Sequence, residues 1–396
     1  MTLDVRHDEL KTHLKLDRDT GNSPLIKGGI GIGKSQVIKE QAEETAGQEF
    51  PEREFVQWSK IDKQEKAEVQ ANPEQYFIFL DIRLSQYDPT DIKGLPDLDE
   101  GTLMWKVTQW VETLAEDEAA GTIFFDEVNL APPNVQAAFY QLVLKKEVSN
   151  TSLSDDVNVV AAGNRAGKDR ANVYEMAAPL RDRFVHMELM SPVGGAEGNW
   201  VQDYAIDAGI HPDIVSYIAA PMGSNELDKF NNRSNDKEAE NLADADAFPT
   251  PRSWEVVSDM FHEIEANDYN DTINFKVDAA KKVVGEAAAT KLRGFLELNE
   301  QVDIRRLLAN PENISELDRV DLKYSVITGI VSMYKDDKEI ADDILDVALA
   351  FYNNSDAEYS AILLNLAMRQ HSDHMRDTMK DSPVWDDLGE KINVIL

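Results

Sequence analysis

Eight consecutive residues, Gly28-Gly29-Ile30-Gly31-Ile32-Gly33-Lys34-Ser35, define the chemistry open to this chain. Gly28, Gly33, Lys34 and Ser35 fill the fixed positions of the phosphate-cradling pattern G-x-x-x-x-G-K-[ST]. Four glycines let the backbone curl until its N–H groups face phosphate oxygens. Lys34 then reaches the outer phosphates, and the Ser35 hydroxyl can complete a magnesium shell. Gln36, next in line, opens a stretch of helix-forming composition that runs to Ala46, so the phosphates would sit at a helix N-terminus. Gly28 to Gln36 is therefore the expected nucleotide-binding segment, rather than a glycine-rich turn that only joins two elements.

A phosphate loop of this kind needs a second source of carboxylate. Ile123-Phe124-Phe125-Asp126-Glu127 supplies it: an apolar strand delivers two acids at its carboxyl end, where α/β sheets place ligands. Asp126 would hold the magnesium shell, and Glu127 would orient and deprotonate a hydrolytic water. Asn164 ends another apolar strand, where a neutral amide could hold the same water without adding charge; the bland alternative is a Gly163-Asn164 strand-ending turn. Arg181 and Arg183 flank Asp182, with no other local acidic partner in sequence. A developing γ-phosphate charge calls for such an arginine, often from a neighbouring subunit. Arg252, in Thr250-Pro251-Arg252-Ser253-Trp254, opens a helical region and could sense the nucleotide. His186, His371 and His374 have no acidic cluster at metal-ligand spacing and read as structural.

The elements that must position these groups follow from pattern. Met1 to Asn22 reads as a short helix and a turn before a first strand at Pro24 to Ile26. Gly47 to Pro73 reads as an acidic, partly helical, solvent-facing insertion. Tyr76 to Ile82, Thr122 to Phe125, Val157 to Ala162 and Phe184 to Leu189 have strand length and composition. Asp88 to Gly101 is predicted to be a loop, and Thr102 to Leu114 either a helix or a hairpin followed by a helix. Pro132 or Pro133 suits a first helical turn leading into Val135 to Leu144. Glu147 to Val160 looks like a hairpin turning through Asn150 to Asp156, and a helix is expected near Asn172 to Leu180. Strands alternating with helices imply parallel strands with helices on both faces. From Ser191 the character changes: a glycine-rich linker to Gly198, a polar acidic stretch from Ser224 to Ala247, then helical pattern almost to the end.

Composition sets the outer bounds. At 396 residues the chain is long enough for two or three domains. With 40 basic and 74 acidic residues the formal charge is −34, which repels nucleic acid and anionic membrane. No apolar run approaches membrane-spanning length, the N-terminus is too polar for a signal peptide, and there is no cysteine. Together these favour the cytoplasm.

The order phosphate loop, Asp126-Glu127, Asn164, Arg181/Arg183, Arg252 resembles that of an AAA+ ATPase, and within that group the MoxR-like branch. The resemblance is carried by DPTDIKGLP (Asp88 to Pro96), FFDEVNLAPPNVQAAFYQLVL (Phe124 to Leu144), VVAAGNR (Val159 to Arg165), PLRDRF (Pro179 to Phe184) and FPTPRSWE (Phe248 to Glu255). GEAAATKLRGFLELNEQV (Gly285 to Val302) is similar more loosely. The resemblance implies a P-loop α/β core with a parallel sheet over 1–190, a linker and insertion over 191–250, and an all-helical lid and extension over 251–396. It implies ATP and Mg2+ as ligands and a homo-oligomeric ring, commonly a hexamer, with ATP between subunits. Asn164 would be the sensor-1 residue, Arg183 the arginine finger in trans with Arg181 as competitor, and Arg252 the sensor-2 residue. Gly94 to Trp110 would be a helix-2 insert and Glu147 to Val160 a pre-sensor-1 hairpin. MoxR-like ATPases are chaperone-like remodellers of protein substrates, often beside a protein with a von Willebrand factor A domain. Two other classes compete: a nucleic-acid-dependent motor, which the acidity disfavours, and a nucleotide-binding scaffold without turnover, which has no need of Glu127.

Overall fold

The apolar runs at 76–82, 122–125, 157–162 and 184–189 all become strands of one sheet. In the computed structural model the described residues are 2–99, 102–165, 174–195, 199–205, 208–232, 245–267, 269, 272–299 and 303–388. The chain divides into two units, Met1–Ser191 and Pro192–Leu396.

The first unit begins with β1 (Leu3–Val5), α1 (His7–Asp19), β2 (Ser23–Gly28), α2 (Lys34–Glu49), β3 (Glu54–Gln57), α3 (Lys63–Ala71), β4 (Tyr76–Arg83) and α4 (Pro89–Lys93). It continues through β5 (Leu95–Asp99), β6 (Thr102–Lys106), α5 (Gln109–Leu114), β7 (Ala120–Asp126), α6 (Pro133–Lys145), β8 (Glu147–Val148) and β9 (Thr151–Ser152). It closes with β10 (Val157–Gly163), α7 (Ala178–Arg181) and β11 (Phe184–Leu189). Seven strands form a sheet in the order β1-β11-β2-β10-β7-β4-β3, and every neighbouring pair is parallel. A parallel sheet is covered on both faces, which is why its central strands read as continuous apolar runs. Alternate residues divide between the two faces. Ile78, Leu80, Ile82, Ile123 and Phe125 pack with Trp110, Val111, Val135 and Phe139. Phe77, Phe79 and Phe124 pack with Leu10, Leu14, Val37 and Ile38. The carboxyl ends of β2, β10, β7 and β4 therefore lie along one edge.

Several expectations are corrected. A strand, β1, precedes the N-terminal helix; only Val5 of its three residues is buried, too little apolar content to mark it. The stretch 47–73 is not a solvent-facing insertion: β3 is an edge strand of the main sheet, and Val56, Trp58 and Val69 enter the core. Over 88–99 the chain is not a loop: α4 is followed by β5, which pairs antiparallel with β6, so 102–114 resolves into a hairpin strand and then a helix; 100 and 101 lie outside the described residues. The hairpin at 147 closes at once, through β8 and β9, and Val157 onward belongs to the main sheet. Near 172–180 the helix is confined to α7, with Tyr174 to Ala177 non-helical; 172 and 173 lie outside the described residues.

The second unit contains helices and no strand among its described residues. Its elements are a π-helical turn (Val201–Ala205), α8 (Pro212–Ala219), α9 (Pro251–Ala266), α10 (Ile273–Asn299), α11 (Ile304–Ala309), α12 (Val320–Asp336), α13 (Ala341–Asn353), α14 (Ala357–Gln370), α15 (Ser372–Asp381) and α16 (Pro383–Leu388). Tyr217 packs against both Trp254 and Phe295 at its centre, and the Trp254 indole N–H donates to Glu226 O at 2.8 Å. The stretch read as linker and insertion thus contributes Trp200, Ile214, Tyr217 and Ile218 to this core. Residues 233–244 of the acidic stretch and 196–198 of the glycine-rich linker lie outside the described residues.

Candidate nucleotide site

The glycine loop leaves β2 and enters α2, as its spacing requires. Gly31 and Gly33 have φ of 71° and 90°, left-handed values that side chains resist, and these turn successive N–H groups inward. Lys34, the first residue of α2, is buried, and its ammonium donates to the carbonyls of Gly28 at 3.0 Å and Gly29 at 2.6 Å. Ile32 anchors the loop in the core, and Ile30 is half-buried. The ring of His7, at the start of α1, donates from Nε2 to Ile32 O at 2.7 Å, a hold on the loop that no motif announces. Gln36 is exposed and its amide bonds Glu40 at 2.9 Å.

Strand β10 alone separates β2 from β7 in the sheet, so the acids at the end of β7 come up beside the loop. The Ser35 hydroxyl donates to Asp126 Oδ2 at 2.9 Å. Asp126 Oδ1 accepts from the Glu127 N–H at 2.8 Å. Glu127 itself has φ 56°, a left-handed conformation that a glutamate adopts at a cost and that concentrates at functional sites. Its carboxylate accepts from the Ser85 hydroxyl at 2.7 Å, from the turn that follows β4. Asp81 on β4 adds a further carboxylate. Its Oδ1 is buried without a hydrogen-bond partner, and burial, helped by the charge of Asp126 and opposed by Arg83, raises its pKa. The Ser35 hydroxyl and the carboxylates of Asp126 and Asp81, the latter with an unsatisfied oxygen, are donors of the kind that fits a hard divalent cation such as magnesium. Asn164 comes off the adjoining end of β10, its backbone bonded to the side chain of Asn129.

Arg181 and Arg183 lie at the other end of the sheet. Both are exposed. Parallel pairing of β11 with β2 sets Phe184 opposite Ser23 and Leu189 opposite Gly28. Arg183 therefore lies at the amino end of β2 and the phosphate loop at its carboxyl end, roughly 17–20 Å away at the usual rise per strand residue. Asp182 is not the only acid near Arg181: Glu175 lies 4.0 Å from its guanidinium. Arg252 is exposed in the first turn of α9, where the Thr250 hydroxyl caps the helix by accepting from Ser253 N at 3.1 Å. His186 donates from Nε2 to Arg181 O at 2.7 Å. His374 Nδ1 bonds the Tyr334 hydroxyl at 2.9 Å, and His371 Nε2 bonds Lys335 O at 3.2 Å.

Comparison with known proteins gives fold-level likeness only. No family model and no curated protein matches the chain. Among solved structures, PCH-2 of C. elegans is 12% identical, with 70% of this chain and 68% of that chain covered at a TM-score of 0.33. Two variants of RuvB from Thermotoga maritima are 14% and 13% identical, covering 78% of this chain and 75% and 76% of theirs, at TM-scores of 0.30 and 0.31. At these identities and scores neither activity nor substrate transfers to this chain.

In the helical unit a charged cluster that no sequence motif marks gathers around Lys276. Ligand atoms of His211, Asp213 and Glu265 lie within 4.8 Å of one another. The Lys276 ammonium already occupies the centre, 2.6 Å from Glu265 and 3.3 Å from Asp213. His211 Nε2 is 2.9 Å from Glu265 Oε1, close enough to attract but without the alignment of a hydrogen bond. Burial pushes the Glu265 carboxyl up, yet His211 and Lys276 outweigh it and bring its pKa down to about 2. With its own cation in place, the cluster is an ion-pair network rather than a metal centre. Among the described residues no helix is long and apolar enough to cross a membrane.

Proposed function

We propose that this chain binds and hydrolyses ATP as an AAA+ ATPase of MoxR type, working in a homo-oligomeric ring and coupling turnover to the remodelling of a protein partner. One observation carries the reading: Ser35 and Asp126, 91 residues apart, meet at 2.9 Å with Glu127 beside them. A glycine-rich turn or an acidic strand end alone would not bring these three together.

The roles follow from the chemistry of each group. The N–H groups of the loop from Gly28 to Gly33 and of Ser35 and Gln36 bind phosphate oxygens, and Lys34 exchanges its two carbonyl acceptors for the outer phosphates. Ser35 and Asp126 are the residues that would hold magnesium, which when bound neutralises charge on the β- and γ-phosphates. Glu127, placed by Ser85, takes a proton from the attacking water as the water oxygen bonds to the γ-phosphorus. The bond from that phosphorus to the bridging oxygen breaks, and ADP leaves. Asn164 holds the water in line. Arg183, with Arg181 as the alternative, lies at the far end of β2 and is suited to a neighbour's γ-phosphate rather than its own. Arg252 is the nucleotide sensor of the helical unit. The resemblance in motif order is what supports a hexamer, a protein substrate and a von Willebrand factor A partner, and a net charge of −34 argues against nucleic acid and anionic membrane.

Two variants test the reading. Glu127→Gln should retain ATP and stop turning it over, whereas Lys34→Ala should lose affinity for ATP with the fold intact. ATP hydrolysis by Glu127→Gln at the wild-type rate would overturn the assignment of the catalytic acid. Unchanged ATP affinity in Lys34→Ala would place the nucleotide elsewhere.

A further inference from the structure

We infer that Asn129 is the positioning residue that fixes Asn164 relative to Glu127, an inference that rests on the hydrolytic reading above. Asn129 lies two places after Glu127, in the turn between β7 and α6. Its carboxamide engages a single residue of the neighbouring strand end twice. Nδ2 donates to Asn164 O at 2.7 Å, and Oδ1 accepts from Asn164 N at 3.1 Å. Rotating the amide by half a turn would set donor against donor and acceptor against acceptor, so the pairing admits one orientation only. The same turn docks on β10 again through the Val128 N–H, which donates to Ala162 O at 3.0 Å.

Gly163 shows how closely the amide is held. A Cβ built there would lie 2.8 Å from Asn129 Oδ1 and 3.1 Å from its Cγ, so a side chain at 163 would displace the clasp. The backbone of Asn129 makes a third tie: its carbonyl accepts from Tyr174 N at 2.7 Å, on the segment that leads to Arg181 and Arg183. One residue thus joins the acid turn, the end of β10 and the arginine-bearing segment. Alanine, aspartate or leucine at 129 could not reproduce the paired bonds; aspartate keeps the acceptor and loses the donor. A water held between Glu127 and Asn164 depends on their separation, and misplacement by about 1 Å is worth roughly 10²-fold in rate.

The test combines kinetics with hydrogen exchange. Asn129→Ala should lower kcat by roughly 10²-fold, with KM and ATP affinity near wild type. Exchange at the Asn164 amide should become faster in the nucleotide-free protein. Asn129→Asp should fall between the two, and it stands in if the alanine variant does not fold. Gly163→Ala should impair kcat by itself and add nothing in the Asn129→Ala background. Wild-type kcat in Asn129→Ala, an unchanged exchange rate at 164, or additive losses in the double variant would each overturn the inference. If instead the wild-type protein hydrolyses no ATP, the hydrolytic reading fails while the exchange measurement still decides whether the clasp exists.

Discussion

Carboxylates gather at the sheet edge and in the His211 cluster, yet the two places balance their charge in opposite ways. In the cluster, Asp213 and Glu265 share the Lys276 ammonium, and His211 Nδ1 accepts from Asp213 N at 3.1 Å to cap α8. At the sheet edge, Asp126 accepts from a hydroxyl and a backbone N–H, both neutral, and Asp81 keeps a buried oxygen without a partner. A buried carboxylate oxygen without a partner, as on Asp81, favours a bound cation or a proton. The difference separates an ion-pair network that holds its own ammonium from a sheet edge whose Asp126 is met by neutral donors.

Neutralising one acid from each place should have very unequal effects. Asp126→Asn should reduce ATP turnover by roughly 10³-fold, because the charge that would hold magnesium is gone. Glu265→Gln should leave kcat at the wild-type value, and a comparable loss in both variants would erase the distinction. Arg183→Ala comes next, with an expected loss of about 10³-fold although ATP still binds. Mixed with Glu127→Gln, which keeps its arginines, it should regain activity where an intact arginine meets an intact acid. Mixed assemblies that form and stay inactive would rule out action in trans, whereas recovery with Arg181→Ala alone would transfer the role.

Asp81→Asn should stabilise the nucleotide-free protein by about 1 kcal/mol, by removing a buried carboxylate, and magnesium with nucleotide should then raise its melting midpoint less than in the wild type. An unchanged midpoint would mean that the orphan oxygen costs nothing. Glu265→Gln should lower stability at pH 7 by about 1 kcal/mol, a value reduced for the solvent exposure of this carboxylate. Because the folded pKa is depressed from 4.5 to about 2, that contribution is complete above 4.5 and fades as the pH falls toward 2. Melting curves of both proteins should therefore converge over that interval, and a constant gap would contradict the ion-pair assignment.

How much of this was legible in the sequence depends on how locally each feature is encoded. Tyr76 to Ile82 and Val157 to Ala162 announce themselves because central parallel strands are apolar on both faces. β3 does not: as an edge strand it buries only Val56 among its four residues. Pro96 and the aspartates around it disguised a two-stranded hairpin as a loop. In the helical unit, the apolar residues Ile214, Val215, Tyr217 and Ile218 were outweighed by the acidic and glycine-rich sequence around them. At the site, the spacing of Gly28 to Ser35 and the pair Asp126-Glu127 were readable because one strand or one loop fixes each. Ser85, Asp81, Asn129 and His7 were not. Each matters through a partner on another element, and only the strand order brings those partners together. A signal did exist for Asn129, an amide directly beyond an acidic strand end, but its bonds to residue 164 needed the adjacency of β7 and β10.

The register of β11 on β2 has a consequence for assembly. A subunit that offers its arginines from one edge of the sheet and receives a neighbour's at the opposite edge is polar, like a tile with a tongue and a groove. Two such subunits related by a two-fold axis would present tongue to tongue. Only head-to-tail contacts serve, and these either close on themselves or propagate. If the arginine acts in trans as proposed, an open row would end in one subunit whose nucleotide lacks it, and only a closed circle would give every subunit a working site.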